Sequence, residues 1–299
     1  MSDDILRNEI LGDDGFAKWL REEKPSGKAL EDGKALAEQA QVRVQAELGS
    51  AVDCANVNDY LCRLLDAEYE IYLEAERELI EGAVEAFLTA DDAIRGKYPA
   101  LRSLLEGLQG RLATNREPRE ALIAVSKSLA QFYKLLAESF AQSRKTRAGG
   151  SAQYQVEFIL NKLGYQGLYE RQRTLNGTVD FLFPSLAMWK KDRRRCTVLS
   201  IKRTLRERYK QVFEELSATR GLTMYLMSTQ TEAEAQKDIT AEKVQVISQQ
   251  NVYLVVRDAI KQARFASEAS VLGFTDFFCK ELPRLKAGWT SDAGSVSTG

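Results

Sequence analysis

The dipeptide Asn176-Gly177 separates two strand-like runs in the second half of the chain, and it restricts the fold more than any other short signal. Residues 168–175 precede it and residues 178–183 follow it. Asn and Gly readily adopt the positive φ angles of the tight turns that join antiparallel strands, so this pattern predicts a β-hairpin.

Further apolar runs follow the predicted hairpin. Short, strongly apolar segments bounded by polar residues are typical of buried strands, and segments with apolar residues three or four apart are typical of helices. The pattern predicts a helix over 152–163 before the hairpin, strands over 197–201, 223–227 and 252–256, and helices over 205–216, 240–249 and 273–285. This order predicts an α/β domain with a mixed central sheet.

The first half of the chain has the helical pattern alone. We predict a helix over 58–88 and a second over 117–144. Small and basic residues over 143–151, including Gly149-Gly150, then indicate a domain boundary. The predicted division is an all-α domain over 1–147, an α/β domain over 148–288 and a disordered tail over 289–299.

Histidine is absent from the sequence, which excludes whole classes of chemistry. Ser-His-Asp hydrolases, Cys-His proteases and HEXXH zinc enzymes all require it. The four cysteines are far apart, with no CxxC pair, and we expect them to be reduced. We find neither a membrane-length apolar run nor a signal peptide, so we expect a cytoplasmic protein with no membrane partner.

Charge is unevenly distributed along the chain, although the net charge is −1. Residues 1–150 carry 20 Lys and Arg against 27 Asp and Glu, whereas residues 151–299 carry 22 against 16. The second half is therefore basic, as expected of a domain that faces a polyanion.

Asp180 and Lys202 are the residues that we expect to carry chemistry. Each lies at one end of a predicted strand, 22 residues apart, and the hairpin-then-strand order places them on neighbouring strands. Phosphodiester hydrolysis without histidine is commonly performed by a carboxylate-bound divalent metal with a nearby lysine. The pair therefore predicts a metal-dependent nuclease.

The spacing of these residues resembles that of one branch of the PD-(D/E)XK nucleases, the type II restriction endonucleases that cut CCGG, CCNGG and CCWGG sites. The matching positions are Val179-Asp180, Ser200-Ile201-Lys202, Arg206-Glu207-Arg208 and Glu215. In the general pattern an acidic residue stands two before the lysine. Ser200 occupies that position here, as it does in this branch, where a glutamate thirteen residues after the lysine takes over.

This resemblance implies a set of roles. Asp180, Glu215 and the Ile201 carbonyl would bind Mg²⁺, with Glu214 as the alternative to Glu215, and Lys202 would position the attacking water. Cleavage would leave a 5′-phosphate. Glu157, on the preceding helix, would match a further glutamate near the metal.

The resemblance also implies how DNA would be recognised. Arg206 and Arg208 would read guanines and Glu207 would accept from cytosine N4, which are the pairings that major-groove chemistry favours. The partners would be double-stranded DNA and a second copy in a homodimer or higher oligomer, and the predicted all-α domain would hold the dimer or contact flanking DNA. A cognate methyltransferase would accompany the enzyme without forming a stable complex with it. Central bases of an odd-length site would be flipped out. With DNA as the substrate, the basic loop residues become phosphate contacts: Lys190, Lys191, Arg193, Arg194 and Arg195.

Other interpretations of the same residues stay open. Thr204 to Glu207 also matches a helix capping box, and the basic loop could simply be solvated. A repair or mobile-element nuclease of the same fold, or a nuclease-like DNA-binding module without activity, would share part of the pattern. Arg-Glu-Arg disfavours the first, and the retention of Asp180, Lys202 and Glu215 together disfavours the second.

Overall fold

The second half of the chain forms a mixed sheet with helices around it in our computed structural model. The structure describes residues 18–19, 22, 32–90, 96–114, 117–171, 179–205 and 223–290. Within these residues, six strands lie side by side in chain order. The first two pairings are antiparallel and the remaining three are parallel, which confirms the predicted mixed sheet.

The described strands and helices follow one another along the chain. The strands are β1 Glu170–Arg171, β2 Phe181–Phe183, β3 Thr197–Lys202, β4 Met224–Ser228, β5 Val252–Val256 and β6 Val271–Gly273. The helices are α1 Gly33–Leu48, α2 Val57–Thr89, α3 Pro99–Thr114, α4 Pro118–Lys162, α5 Leu186–Asp192, α6 Glu232–Asp238, α7 Ala241–Ser248, α8 Asp258–Arg264 and α9 Leu282–Thr290. Among the described helices, none is both long and apolar enough to cross a bilayer.

The structure describes the two strands of the predicted hairpin. β1 pairs antiparallel with β2, while the Asn176-Gly177 turn lies outside the described residues. One face of the sheet packs on a core to which β3, β4 and β5 each contribute alternate residues, among them Val198, Leu226 and Leu254. Burial of these apolar side chains fixes which face of each strand points inward.

Helix α4 is continuous where the sequence predicted a break over 143–151. Two glycines inside a helix cost about 2 kcal/mol relative to alanine. The contacts that follow them offset this cost. Ser151 and Gln155, one turn apart, both donate hydrogen bonds to the buried carboxylate of Glu68 on α2. Burial raises the pKa of Glu68, and these two donors oppose that shift.

Contacts divide the chain into two compact units, Met1–Asp32 with Glu70–Arg147, and Gly33–Tyr69 with Ala148–Gly299. The first contains an aromatic core in which Phe87 stacks on Phe132 at 4.5 Å between ring centroids. The second contains the sheet. By contacts, α1 and the start of α2 therefore belong with the sheet, and the division into domains over 1–147 and 148–288 stays a prediction.

Several local expectations need correction. The basic segment is the end of α5 followed by a 3₁₀ turn, Arg193–Arg195, instead of a loop. Trp289 and Thr290, which the sequence assigned to a disordered tail, belong to α9, and Trp289 is buried against Phe183; residues 291–299 lie outside the described residues. The sequence also failed to predict α3, α6, α8 and β6.

The cysteines do not all stay reduced, contrary to our expectation. Cys54 and Cys279 form a disulfide with 5.6 Å between their Cα atoms, whereas Cys62 and Cys196 are free. Burial raises the pKa of the Cys62 thiol to about 12 and that of Cys196 to about 11. Both free thiols are therefore protonated near neutral pH and are unsuited to nucleophilic chemistry.

Candidate active site

Asp180 lies at the entry to β2 and is 6% exposed. Its carboxylate accepts two short hydrogen bonds. Gln153 Nε2 donates to Oδ1 at 2.5 Å, and the Ile201 backbone N–H donates to Oδ2 at 2.5 Å. A buried carboxylate requires such donors, since an unpaired buried charge is strongly disfavoured. The two bonds fix the carboxylate against the neighbouring strand.

The strand register places Lys202 close to Asp180. Phe181 is opposite Leu199 in the β2–β3 pair, so extending the register by one residue puts Asp180 opposite Ser200. Ser200 Oγ accordingly lies 3.5 Å from Asp180 Oδ2. Side chains alternate along a strand, so Lys202 shares the face of Ser200 and is a diagonal neighbour of Asp180, a separation of about 7–8 Å that a lysine can span.

The end of β3 is held from its other side by β4. Lys202 is opposite Ser228 in the parallel β3–β4 pair, and the Thr229 N–H donates to the Lys202 carbonyl at 3.1 Å. In a strand the N–H and C=O of one residue point to the same side, and successive residues alternate. The Ile201 peptide groups therefore point toward Asp180 while those of Lys202 point toward β4.

The donor atoms at this edge suit a hard divalent cation only in part. The Asp180 carboxylate and the Ile201 carbonyl both lie at this edge, and they are oxygen donors of the kind that Mg²⁺ prefers. Within the described residues, no group of three His, Cys, Asp or Glu could hold a metal. Ser200 supplies no carboxylate here. A metal held at this edge would need a further acidic ligand from elsewhere, and the two candidates, Glu214 and Glu215, lie outside the described residues.

Glu157 has an ion-pair partner. Arg171 Nη1 lies 2.6 Å from its carboxylate, and the Tyr169 hydroxyl donates to it at 3.2 Å. Burial first, and then the Glu157 charge, raise the pKa of Tyr169 to about 12, so this phenol stays protonated and acts as a donor. Arg171 Nη2 also donates to Gln153 Oε1 at 3.4 Å. Glu157 is thus linked to Asp180 through Arg171 and Gln153.

Gln153 is the residue of this site that the sequence did not reveal. It is 5% exposed on α4 and stands one turn before Glu157, on the same helix face. Its amide bridges the Arg171 guanidinium and the Asp180 carboxylate. The only indication in the sequence was its position four residues before Glu157, which was already a candidate site residue.

The basic residues between β2 and β3 are ordered by local contacts. Ser185 caps α5 by accepting from the Met188 N–H, and Asp192 accepts from the Arg194 N–H at 3.2 Å. The Arg193 guanidinium lies over the Trp189 ring, 5.4 Å from its centroid. The Arg194 side chain is 88% exposed. This turn therefore presents cationic groups to solvent.

The base-reading candidates Arg206, Glu207 and Arg208 lie outside the described residues. The residue before them is described. Leu205 is fully buried in the core of the sheet domain.

Residues 115–278, more than half of the chain, match the family model described as EcoRII C terminal. The chain belongs to the EcoRII C-terminal family. The resemblance to this group of type II restriction endonucleases, first inferred from Asp180, Lys202 and the residues around them, is confirmed.

A known restriction enzyme and two solved structures are also similar to this chain. The type II restriction enzyme SsoII of Shigella sonnei is 28% identical over 149 residues, which cover 47% of this chain and 47% of that enzyme. The match thus spans about half the length of that relative. A structure of metal-depleted Ecl18kI with uncleaved, modified DNA has a TM-score of 0.71 at 19% identity, covering 97% of this chain and 88% of that one. A PspGI–substrate DNA complex has a TM-score of 0.56 at 16% identity, covering 86% and 94%. These likenesses confirm the restriction-endonuclease-like fold with its preceding helices.

Proposed function

We propose that this protein is a Mg²⁺-dependent type II restriction endonuclease that cuts double-stranded DNA at a palindromic or pseudopalindromic site with a CC/GG core. The observation that carries this proposal is the placement of a buried Asp180 and of Lys202 on one sheet face, at the ends of antiparallel neighbours. Membership of the EcoRII C-terminal family supports it. So do the two similar structures of Ecl18kI and PspGI, both of which are complexes with DNA.

In this proposal each residue of the site has a defined task. Asp180 and the Ile201 carbonyl bind the metal together with Glu215, and Gln153 and the Ile201 N–H keep the Asp180 carboxylate in place. Lys202 positions the attacking water and balances the charge that develops on the phosphate. The bound Mg²⁺ supplies Lewis acidity and lowers the pKa of a water molecule. The products carry 5′-phosphates.

Sequence recognition is assigned to Arg206, Glu207 and Arg208, through guanine O6 and N7 and cytosine N4. Phosphate contacts are assigned to the α5 end and the following turn, where Lys190, Lys191, Arg193, Arg194 and Arg195 provide cationic groups. Two-fold symmetric DNA suits a homodimer, since each subunit then reads one half-site.

Mapping the cut ends of a DNA of known sequence tests this function. The unmodified protein with Mg²⁺ is expected to cut at CCGG, CCNGG or CCWGG sites and at no unrelated sequence, and the fragment ends should be 5′-phosphorylated. The same reaction with a chelator in place of Mg²⁺ is the control. Intact DNA at all three kinds of site would rule out the proposal.

Replacing Gln153 by leucine is expected to slow cleavage about tenfold at saturating Mg²⁺, because groups that orient a metal ligand typically contribute 10- to 100-fold. Leucine has a similar size but leaves Asp180 Oδ1 without its amide donor. Asn161→Leu is the matched control, since Asn161 is on the same helix two turns on and the one hydrogen bond described for its side chain is with the Tyr169 hydroxyl. Equal single-turnover rates for both variants would contradict this role for Gln153.

A further inference from the structure

Arg171 is the second residue of β1 and lies beside helix α4, where its guanidinium contacts side chains of that helix. Nη1 donates to Glu157 Oε2 at 2.6 Å, and Nη2 donates to Gln153 Oε1 at 3.4 Å. The guanidinium carbon lies 4.2 Å from the centroid of the Tyr154 ring. An ion pair and an aromatic face each favour one placement of a guanidinium, so these contacts hold Arg171 against α4.

The amide of Gln153 lies between a group that only donates and a group that only accepts. A guanidinium has N–H donors and no acceptor, whereas an ionised carboxylate has acceptors and no donor. Oε1 of Gln153 faces Arg171, and Nε2 donates to Asp180 Oδ1 at 2.5 Å. The reversed amide would turn its NH₂ group toward the guanidinium and its oxygen toward the carboxylate, and both contacts would be repulsive. The two neighbours therefore select one orientation of this amide.

Arg171 acts on this orientation mainly through its charge. Its hydrogen bond to Gln153, at 3.4 Å, is longer than the usual range of about 2.7–3.2 Å. Gln153 is only 5% exposed, however, and a charge acts more strongly on a dipole where little water screens it. The guanidinium charge therefore favours the orientation in which Oε1 points toward it.

Glu157 supplies the opposite charge that keeps Arg171 in place. One of its carboxylate oxygens accepts from Arg171, and the Tyr169 hydroxyl lies 3.2 Å from the other. Contacts thus lead from Glu157 through Arg171 and Gln153 to Asp180.

We propose that Arg171 is a positioning residue for the metal site, and that Glu157 acts through Arg171 and does not bind the metal itself. Arg171 orients the Gln153 amide, and the amide in this orientation keeps the Asp180 carboxylate where it binds Mg²⁺. Groups that contact a metal ligand typically contribute 10- to 100-fold to affinity or rate, and Arg171 is one contact further out, so its contribution is about fivefold. This proposal rests on the proposed function, in which Asp180 binds Mg²⁺.

Arg171→Met removes the guanidinium and keeps an unbranched side chain. The half-saturating Mg²⁺ concentration, at which the single-turnover cleavage rate is half of its maximum, is expected to rise about fivefold. Arg284→Met is the matched control, since Arg284 forms an ion pair of the same length, 2.6 Å, with Glu281. It should leave that concentration within about twofold of the unmodified value, because an exposed ion pair contributes little. Should Arg171→Met not fold, Arg171→Gln also removes the charge and carries the same expectation.

A second measurement does not depend on cleavage. Lys202→Ala is expected to bind DNA without cutting it, so its complex with a CC/GG duplex can be titrated with Mg²⁺ in a calorimeter. Adding Arg171→Met to that protein should weaken Mg²⁺ binding about fivefold. Unchanged Mg²⁺ binding would overturn the role of Arg171, while cleavage by the unmodified protein would show that the proposed function still stands.

A double-mutant cycle determines whether Arg171 acts through Gln153. Gln153→Leu removes the amide, so adding Arg171→Met to it should not change the half-saturating Mg²⁺ concentration any further. If the two effects multiply instead, Arg171 acts independently of Gln153, as a phosphate contact or a purely structural ion pair would, and the proposal fails. If the unmodified protein cuts no CC/GG site, the proposed function fails and the role of Arg171 fails with it.

Glu157→Gln tests the role of the glutamate. Glutamine keeps an accepting oxygen for Arg171, and its NH₂ group can donate to the Tyr169 hydroxyl oxygen, so the arginine stays in place. The half-saturating Mg²⁺ concentration should therefore change less than about twofold. A rise of about tenfold or more is the result expected of a metal ligand, and it would overturn the assignment of Glu157 to Arg171.

Discussion

Lys202→Ala is expected to bind DNA and to leave it uncut. Lys202 shares a sheet face with Asp180 and is its diagonal neighbour, so its ammonium group lies within reach of the carboxylate beside which the proposed mechanism places the attacking water. Removal of one group that stabilises developing charge typically lowers a rate by about 10²–10³-fold. Single-turnover cleavage of a plasmid with Mg²⁺, together with a binding titration of a short duplex, measures both quantities.

Lys280→Ala is the control for this variant. Lys280 is an exposed lysine paired with Asp276, and its loss removes the same charge without affecting the Asp180 edge. Its rate should match that of the unmodified protein. Cleavage by Lys202→Ala at the unmodified rate would remove Lys202 from the proposed mechanism.

Arg208→Ala is expected to abolish preferential binding to the CC/GG site. A bidentate arginine–guanine contact contributes about 1–3 kcal/mol of discrimination, and a symmetric dimer makes each contact twice. The loss should therefore be about 2–6 kcal/mol in the difference between specific and non-specific binding. Competition titrations with a CC/GG duplex and an unrelated duplex of equal length measure that difference directly.

Arg194→Ala distinguishes recognition of bases from electrostatic attraction to the phosphates. Arg194 lies on the exposed 3₁₀ turn after α5, where a phosphate contact would depend on charge alone. Its loss should weaken binding to both duplexes equally and lower the salt dependence of binding. If Arg208→Ala behaved in the same way as Arg194→Ala, Arg208 would be a phosphate contact and the assigned reading role would be wrong.

Much of the sheet could be predicted from local patterns. The runs around Phe181, Val198, Met224 and Val252 are short, apolar and bounded by polar residues, and each became a buried strand. The proximity of Asp180 and Lys202 followed from the same reasoning, because an antiparallel pair brings the start of one strand to the end of the next.

Long-range contacts could not be predicted in this way. Gln153 meets Asp180 across 27 residues, and Cys54 meets Cys279 across 225. The sequence of an amphipathic helix does not indicate which polar residue beside its apolar face will contact a carboxylate. Helix α4 passes through Gly149-Gly150 because Ser151 and Gln155 are held by Glu68, a tertiary effect that overrides the weak helix propensity of glycine.

The short helices were missed for a related reason. Helices α5, α6 and α8 have seven residues each, too few for a helical period to stand out. The caps that stabilise two of them, Ser185 and Thr231, are common in turns as well. The sequence therefore did not indicate that the carboxylate of Asp238, at the end of α6, would accept a hydrogen bond from the Leu205 N–H.

The pairing of β2 with β3 has a consequence for how this fold can vary. Asp180 and Lys202 are brought together by the register of the two strands, and the chain between them contributes only the cap, helix and turn over 184–196. Surface connections tolerate insertion and deletion far better than the elements that they join. We therefore expect that this connection could be lengthened, shortened or changed in net charge to adjust affinity for the DNA backbone, while Asp180 and Lys202 stay in place. A search for distant members of the fold should accordingly match the two strand ends and leave the distance between them free.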